Sequence, residues 1–369
     1  MSEINDQIIK LTHALEKTKS KESALYFLTM DTKGHAKASV ALIYDIVKEL
    51  INAGYNANIM HEKEDFQDVT PWLGDEYKDI PHVSIESKQV QVNICDLVII
   101  PEVFGHVLEQ TQKMPCEKII LSQAYDYVLE TLPPGMAWRN YGVNTCITTS
   151  AKQKDYLQPL MGTLEYLEVT PFINDSFKKY EYPQPPLISI HTREPRDTMK
   201  IIKSFYLKFP QFKWITFRDL RNLPRKKFAE DLSESFVSIW VDDISGFGTF
   251  PLESMKCGVP VIGKVPNLKP EWMTEENGIW PYEFNQIVDI LGNFVQKWLE
   301  DDLPKELYGE MEEISKKYSK ENFKTSLLNV FNSINERKTL EFRRNLEKLT
   351  PVGPQDSTLE GSVNELYNN

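Results

Sequence analysis

Apolar positions in the first twenty residues recur at Ile4, Ile8, Leu11 and Leu15, the spacing of one helix face. A continuous apolar run at 24–30 follows and predicts a buried strand. It opens into the polar loop DTKGHAKAS, then a helix over 39–53 closed by Gly54, then a second strand at 56–60. Strand, helix and strand in this order predict a parallel sheet covered by helices. The pattern continues through CDLVII (95–100), KIILSQ (118–123) and NTCITTS (144–150), a helix from Ala151, and LEVTPF. Short buried strands alternating with helices make a doubly wound α/β domain.

Pro183, Pro185 and Pro186 in KKYEYPQPPL exclude helix and central strand, and they place a boundary at 183–186. The alternation then restarts. LISIHT reads as a strand, 197–209 as a helix, FKWITF as a strand, 224–235 as a helix and SFVSIWV as a strand. A short helix at 251–257 and a strand at 259–262 follow, then long helices at 285–300 and 305–335. The expected organisation is two tandem Rossmann-like domains facing a cleft, 1–183 and 184–335, with the last helix crossing back to brace the first. Residues 336–369, charged and carrying Pro351 and Pro354, read as a flexible tail.

A chain of 369 residues is too long for one ordinary core, which agrees with two domains. A net charge of −12 argues against general nucleic-acid binding, although a few arginines can still hold a phosphate. Cys95, Cys116, Cys146 and Cys257 each lie in or beside an apolar run without CxxC spacing, so free buried thiols are expected rather than disulfides or zinc. The polar amphipathic start does not read as a signal peptide, and no apolar run approaches the roughly 20 residues that span a bilayer. A cytoplasmic protein without a transmembrane segment is expected.

The stretch GFGTFPLESMKCGVPVIG (246–263) places a Gly-Phe-Gly turn and a carboxylate before a buried strand. Gly246 and Gly248 allow close backbone approach. Helix-start amides around Phe247, Gly248 and Thr249 favour an oxygen-rich ligand. Glu253, one to two turns on, can accept two hydroxyl hydrogen bonds, as a ribose diol offers. The bland alternative is a packing turn with a capping carboxylate.

This stretch resembles the signature of retaining glycosyltransferases of the GT-B fold. It matches at Gly246, Phe247, Gly248, Pro251, Glu253, Met255, Cys257, Gly258, Pro260, Val261 and Ile262. PEWMTEENGIWPYE resembles the family's downstream segment at Pro270, Glu271, Asn277 and Gly278. The resemblance is strong over 236–280 and pattern-level elsewhere in 22–335. One position departs from it: the family has an acidic residue before Gly-Phe-Gly, and Ser245 stands there.

The resemblance implies transfer of a sugar, with retention at the anomeric carbon, from a nucleotide-diphosphate donor to a glycan or other acceptor. UDP- or GDP-sugars are the expected donors, and no metal or other cofactor is expected. Glu253 would hold the ribose, and Ser245 would sit near the donor sugar. A basic pair after the first strand of the second domain would hold the diphosphate. In HTREPRDTMKIIKSF this pair falls on His191 and Arg196, with Arg193 able to stand in for His191, and Asp197 as the expected N-cap. The loop TKGHAKAS is not a P-loop, since Gly34 lacks a Gly-Lys-Ser ending. In the family it faces the cleft, which would bring Lys33, His35 and Lys37 there. Asp242–Asp243 reads as a strand-end turn. The family's first-domain His is missing, and Asp126 is the candidate acceptor contact. Two further readings stay open: a non-catalytic relative that binds a glycan or partner, and, more remotely, a sugar-nucleotide epimerase of the same architecture.

Overall fold

The computed structural model describes residues 2–87 and 90–349. The first domain holds a seven-stranded, wholly parallel sheet in the order β3-β2-β1-β4-β5-β6-β7. Its strands are β1 (Ala24–Leu28), β2 (Asn56–His61), β3 (His82–Ser84), β4 (Leu97–Pro101), β5 (Glu117–Ser122), β6 (Thr145–Thr148) and β7 (Glu165–Glu168). The sequence reading missed β3, whose three residues are too few to show alternation. The chain's direction of travel across the sheet reverses between β1 and β4, the crevice where doubly wound folds bind ligands.

Helices cover both faces of this sheet: α1 (Ser2–Lys19), α2 (Ala38–Asn52), α3 (Thr70–Leu73), α4 (Leu108–Thr111), α5 (Tyr127–Thr131) and α6 (Ala151–Met161). Central strands are therefore apolar throughout; every residue of β4 is buried. Phe27 and Ile59 pack with Ile43, Val47 and Leu50 of α2 on one face. Ile100, Ile120, Trp138 and Leu157 fill the other.

The second domain is smaller. Its parallel sheet runs β11-β10-β8-β9, from β8 (Leu187–Thr192), β9 (Thr216–Asp219), β10 (Val237–Val241) and β11 (Val261–Gly263). Around it lie α7 (Pro195–Lys208), α8 (Arg225–Ser233), α9 (Thr249–Lys256), α10 (Gln286–Leu299) and α11 (Lys305–Lys317). The four cysteines are buried and unpaired.

The chain then returns to the first domain as α12 (Lys320–Leu349), which corrects two expectations. The expected single helix at 305–335 is two, broken at Tyr318–Ser319. Ser319 Oγ accepts the Asn322 amide at 3.2 Å and so caps the new helix, while Tyr318 turns inward against Phe247. The expected tail does not begin at 336, because helix continues to Leu349. Ile334, Lys338 and Phe342 extend the buried stripe at four-residue spacing, with charges on the outer face. Phe323, Leu327 and Phe331 enter the core of the first domain, with Phe331 6.0 Å from Phe27 between ring centroids. The rest of the expected tail, 350–369, lies outside the described residues. Among the described residues no helix is long and apolar enough to cross a membrane.

Candidate functional site

Between the two domains lies a cavity of about 160 Å³. The first domain supplies Lys37 and Asp45, at the start and in the middle of α2, and Trp72 of α3. The second supplies His191 from the end of β8, Asn222 and Arg225 around the start of α8, and Thr249 and Glu253 from α9. Phe228 and Phe250 form apolar wall.

Glu253 is half-buried, and burial pushes its carboxyl up to about 7, with Arg225 acting against that shift. A carboxyl so placed changes charge near neutrality. His191 lies flat against Phe250, ring centroids 5.0 Å apart. Burial lowers its pKa, Asp242 and Asp219 oppose the shift, and the imidazole is neutral at pH 7. Its buried Nδ1 has no hydrogen-bond partner among the described residues, and neither does Trp72 Nε1 on the opposite wall. Buried polar atoms of this kind are ordinarily satisfied, so a polar ligand or water is the expected partner.

Arg225 joins the walls. Its Nη2 lies 3.1 Å from Asp45 Oδ2, and its Nη1 donates to Tyr77 Oη at 2.7 Å. Tyr77 in turn donates to Asp45 Oδ1. Burial alone would lower Arg225, but Asp45 and Tyr77 outweigh it and hold the guanidinium charged. The sequence reading missed all three residues. The signal for Asp45 was available: an acid within the apolar run Ile43-Tyr44-Asp45-Ile46-Val47. Arg225 lies in a basic run whose members look alike in sequence.

The signature loop has a different role from the one its glycines suggest. Gly248, at φ +71°, precedes α9 in the left-handed region, and a Cβ there would lie 3.0 Å from Trp240. Phe247 is buried 5.2 Å from the Tyr318 ring, and its carbonyl accepts from Trp272 Nε1 at 2.7 Å, so it is a core residue. Of the three amides expected to be open, that of Gly248 is engaged, as are those of the loop residues before Phe247. Ile244 and Ser245 donate to Asp242 Oδ1, Gly248 donates to Ser245 Oγ at 2.9 Å, and Gly246 donates to Gln123 O. Pro251 removes a further donor from the first turn of α9. Ser245 forms an isolated antiparallel bridge with Ala124, and Tyr125 Oη donates to Asp243 O at 2.8 Å. The loop is thus a seam between domains.

Of the residues singled out from sequence, His191, Thr249 and Glu253 meet at the cavity, joined by Lys37. Ser245, Gly246, Phe247 and Gly248 lie in the seam or the core behind it. Arg193 pairs with Asp242 at 3.4 Å, and its guanidinium reaches Tyr127 of the first domain. Arg196 is exposed in the first turn of α7. That helix starts at Pro195 with Glu194 at the cap position, so Asp197 is not the N-cap; it pairs with Lys200 at 3.0 Å. Gly34 takes φ +78° in an exposed loop with Lys33 and His35, outside the cavity lining. Asp126 stands at the start of α5 near the seam and does not reach the cavity. Among the described residues no group of three or more His, Cys, Asp or Glu could hold a metal ion.

No family model and no curated protein matches the chain. Solved structures do. Sucrose-phosphate synthase from Thermosynechococcus elongatus is similar with a TM-score of 0.61 at 12% identity, covering 85% of this chain and 100% of that one. S. aureus TarM, solved with α-GlcNAc-glycerol and UDP, gives 0.61 at 9%, covering 84% and 100%. Anabaena HepE in complex with UDP and glucose gives 0.60 at 11%, covering 84% and 100%. At these identities the likeness is one of fold: the chain has the two-domain GT-B architecture.

Proposed function

We propose that the protein is a glycosyltransferase that moves a sugar from a nucleotide-diphosphate donor to an acceptor held by the first domain, with retention at the anomeric carbon. The observation that carries this reading is Glu253. A carboxylate from the helix after the signature loop faces the interdomain cavity beside the unsatisfied His191 Nδ1. UDP is the favoured donor nucleotide, since TarM and HepE were solved with it.

In this reading Glu253 accepts hydrogen bonds from the ribose diol, and His191 meets a donor oxygen. Arg193 exchanges Asp242 for the diphosphate, and Arg196 adds charge from the start of α7. The acceptor hydroxyl attacks on the face from which the phosphate leaves. The bond from the anomeric carbon to the phosphate oxygen breaks, the bond from that carbon to the acceptor oxygen forms, and the departing phosphate oxygen takes the acceptor's proton. Ser245, whose Oγ holds the Gly248 amide in the seam, brings the donor no charge, and Asp126, outside the cavity, contacts an acceptor that extends toward the seam. Closure of the cleft excludes water that would otherwise hydrolyse the donor.

The signature loop favours a second reading, a relative without turnover that binds a glycan or partner: Ser245 brings no carboxylate, and the Gly246 and Gly248 amides are already engaged. Calorimetric titration with UDP and GDP, followed by assay of UDP-sugar hydrolysis, separates the two. Binding with slow hydrolysis, both lost in Glu253→Ala, supports the enzyme. Binding without turnover supports the second reading, and no binding of either nucleotide overturns the enzyme and leaves the relative that binds a glycan or partner.

A further inference from the structure

Arg225 lines the same cavity as two carboxylates, one from each domain. Toward the first domain it meets Asp45 at 3.1 Å and Tyr77 at 2.7 Å. Its side chain and that of Asp45 are only 15% and 11% exposed, so the pair is nearly dry. On its own domain, the Glu253 side chain opens into the cavity from α9, which packs against α8. Arg225 and Glu253 line the same cavity, and the Arg225 charge opposes the rise that burial gives the Glu253 carboxyl.

These positions constrain what happens when the cleft opens. Asp45 and Tyr77 leave with the first domain, while Glu253 stays with Arg225. A guanidinium stripped of its partners in a half-buried site takes the nearest available carboxylate, because an unpaired buried charge is costly. We infer that Arg225 is a positioning residue that exchanges Asp45 for Glu253 as the cleft opens, coupling domain closure to the capture of a nucleotide. When the cleft is closed, Asp45 and Tyr77 hold Arg225 and leave the Glu253 oxygens free to accept. When it is open, Arg225 occupies them. The inference rests on the nucleotide reading of Glu253, but it adds a role for three residues that touch no signature motif.

The test is a double-mutant cycle with UDP as the probe. Asp45→Asn, which alters the partner on the far domain, is expected to weaken UDP binding at least tenfold. It is also expected to increase the radius of gyration of the ligand-free protein in solution scattering. Adding Arg225→Met to that variant removes the competitor for Glu253 and is expected to recover at least threefold of the lost affinity. A merely structural pair predicts the opposite, with the double variant no tighter than Asp45→Asn. Circular dichroism of each variant checks that it has folded before its affinity is read. If wild type binds UDP and the double variant shows no recovery, or Asp45→Asn matches wild type in affinity and scattering, the exchange is overturned alone. If wild type binds no nucleotide, the exchange falls together with the reading it rests on.

Discussion

The amide of Gly246 donates to the carbonyl oxygen of Gln123 at 3.3 Å, joining the backbone of the signature loop to the turn after β5 in the other domain. No side chain fits between them: a Cβ on Gly246 would lie 2.8 Å from that same oxygen and 3.0 Å from Gln153 Nε2. Gly246→Ala is therefore expected to push the domains apart at the seam, costing about 1–3 kcal/mol. Gly309→Ala is the control. It is an exposed position in α11 with nothing within 4 Å of the added methyl, and the substitution is expected to stabilise by about 0.5–1 kcal/mol. Urea unfolding of the two variants checks the contrast.

Glu253 is expected to make nucleotide binding pH-dependent. With its carboxyl pushed up to about 7, it is ionised at pH 8 and largely protonated at pH 6. The ionised form is the better acceptor, so UDP affinity should fall as pH drops through that window. Glu253→Ala should lose about 1.5–3 kcal/mol of binding at pH 8 and much less at pH 6. Isothermal titration across pH 6–8 measures both. A flat profile in wild type would remove Glu253 from the ribose.

The order of strands and helices was legible because central parallel strands must be apolar and the intervening helices amphipathic. Glu253 was legible through the motif around it. Arg225 and Asp45 were not: they are 180 residues apart, and neither shows its partner until the cleft is assembled. Gly246 and Gly248 were legible as positions of close approach, but sequence alone did not distinguish approach to a ligand from approach to the other domain. The continuation of α12 was hidden because Ile334, Lys338 and Phe342 are diluted by charges that belong to its outer face.

Glu102, beneath the seam, is expected to tilt stability with pH. It is buried and accepts the Ala124 amide at 2.7 Å through Oε1. Its Oε2 has no hydrogen-bond partner among the described residues, and burial pushes the carboxyl up to about 7. The folded protein thus holds this proton more tightly than the unfolded chain. That contribution favours folding at low pH and is lost as pH rises from about 4.5 to about 7, by up to about 3 kcal/mol. Glu102→Gln keeps an acceptor for Ala124 and removes the titration. Its stability relative to wild type should rise across that interval and stay level above it, as read from chemical unfolding at several pH values.

Ending the chain at Asn335 is expected to destabilise the first domain. The cut removes Arg337, 2.5 Å from Glu117, and Lys338, whose Nζ donates to Asp96 O at 3.0 Å. It also removes Phe342, packed with Ala14 and Cys95. Phe342→Ala alone should cost about 3 kcal/mol, the low end for a buried Phe because its cluster is small. Thermal melts of both variants decide this, and an unchanged midpoint would place the last turns of α12 outside the fold.

The chain crosses between domains twice, once through the segment before β8 and once at the break between α11 and α12. At the crossings Ile173 N donates to Tyr318 O at 2.9 Å. Two covalent spans pinned to each other act as the spine of a book. Sliding and twisting of the halves are resisted, and rotation about that line is the soft motion left. Spin labels placed in pairs across the cleft should show separations that widen with distance from Ile173, and equal widening everywhere would mean that the halves part without a spine.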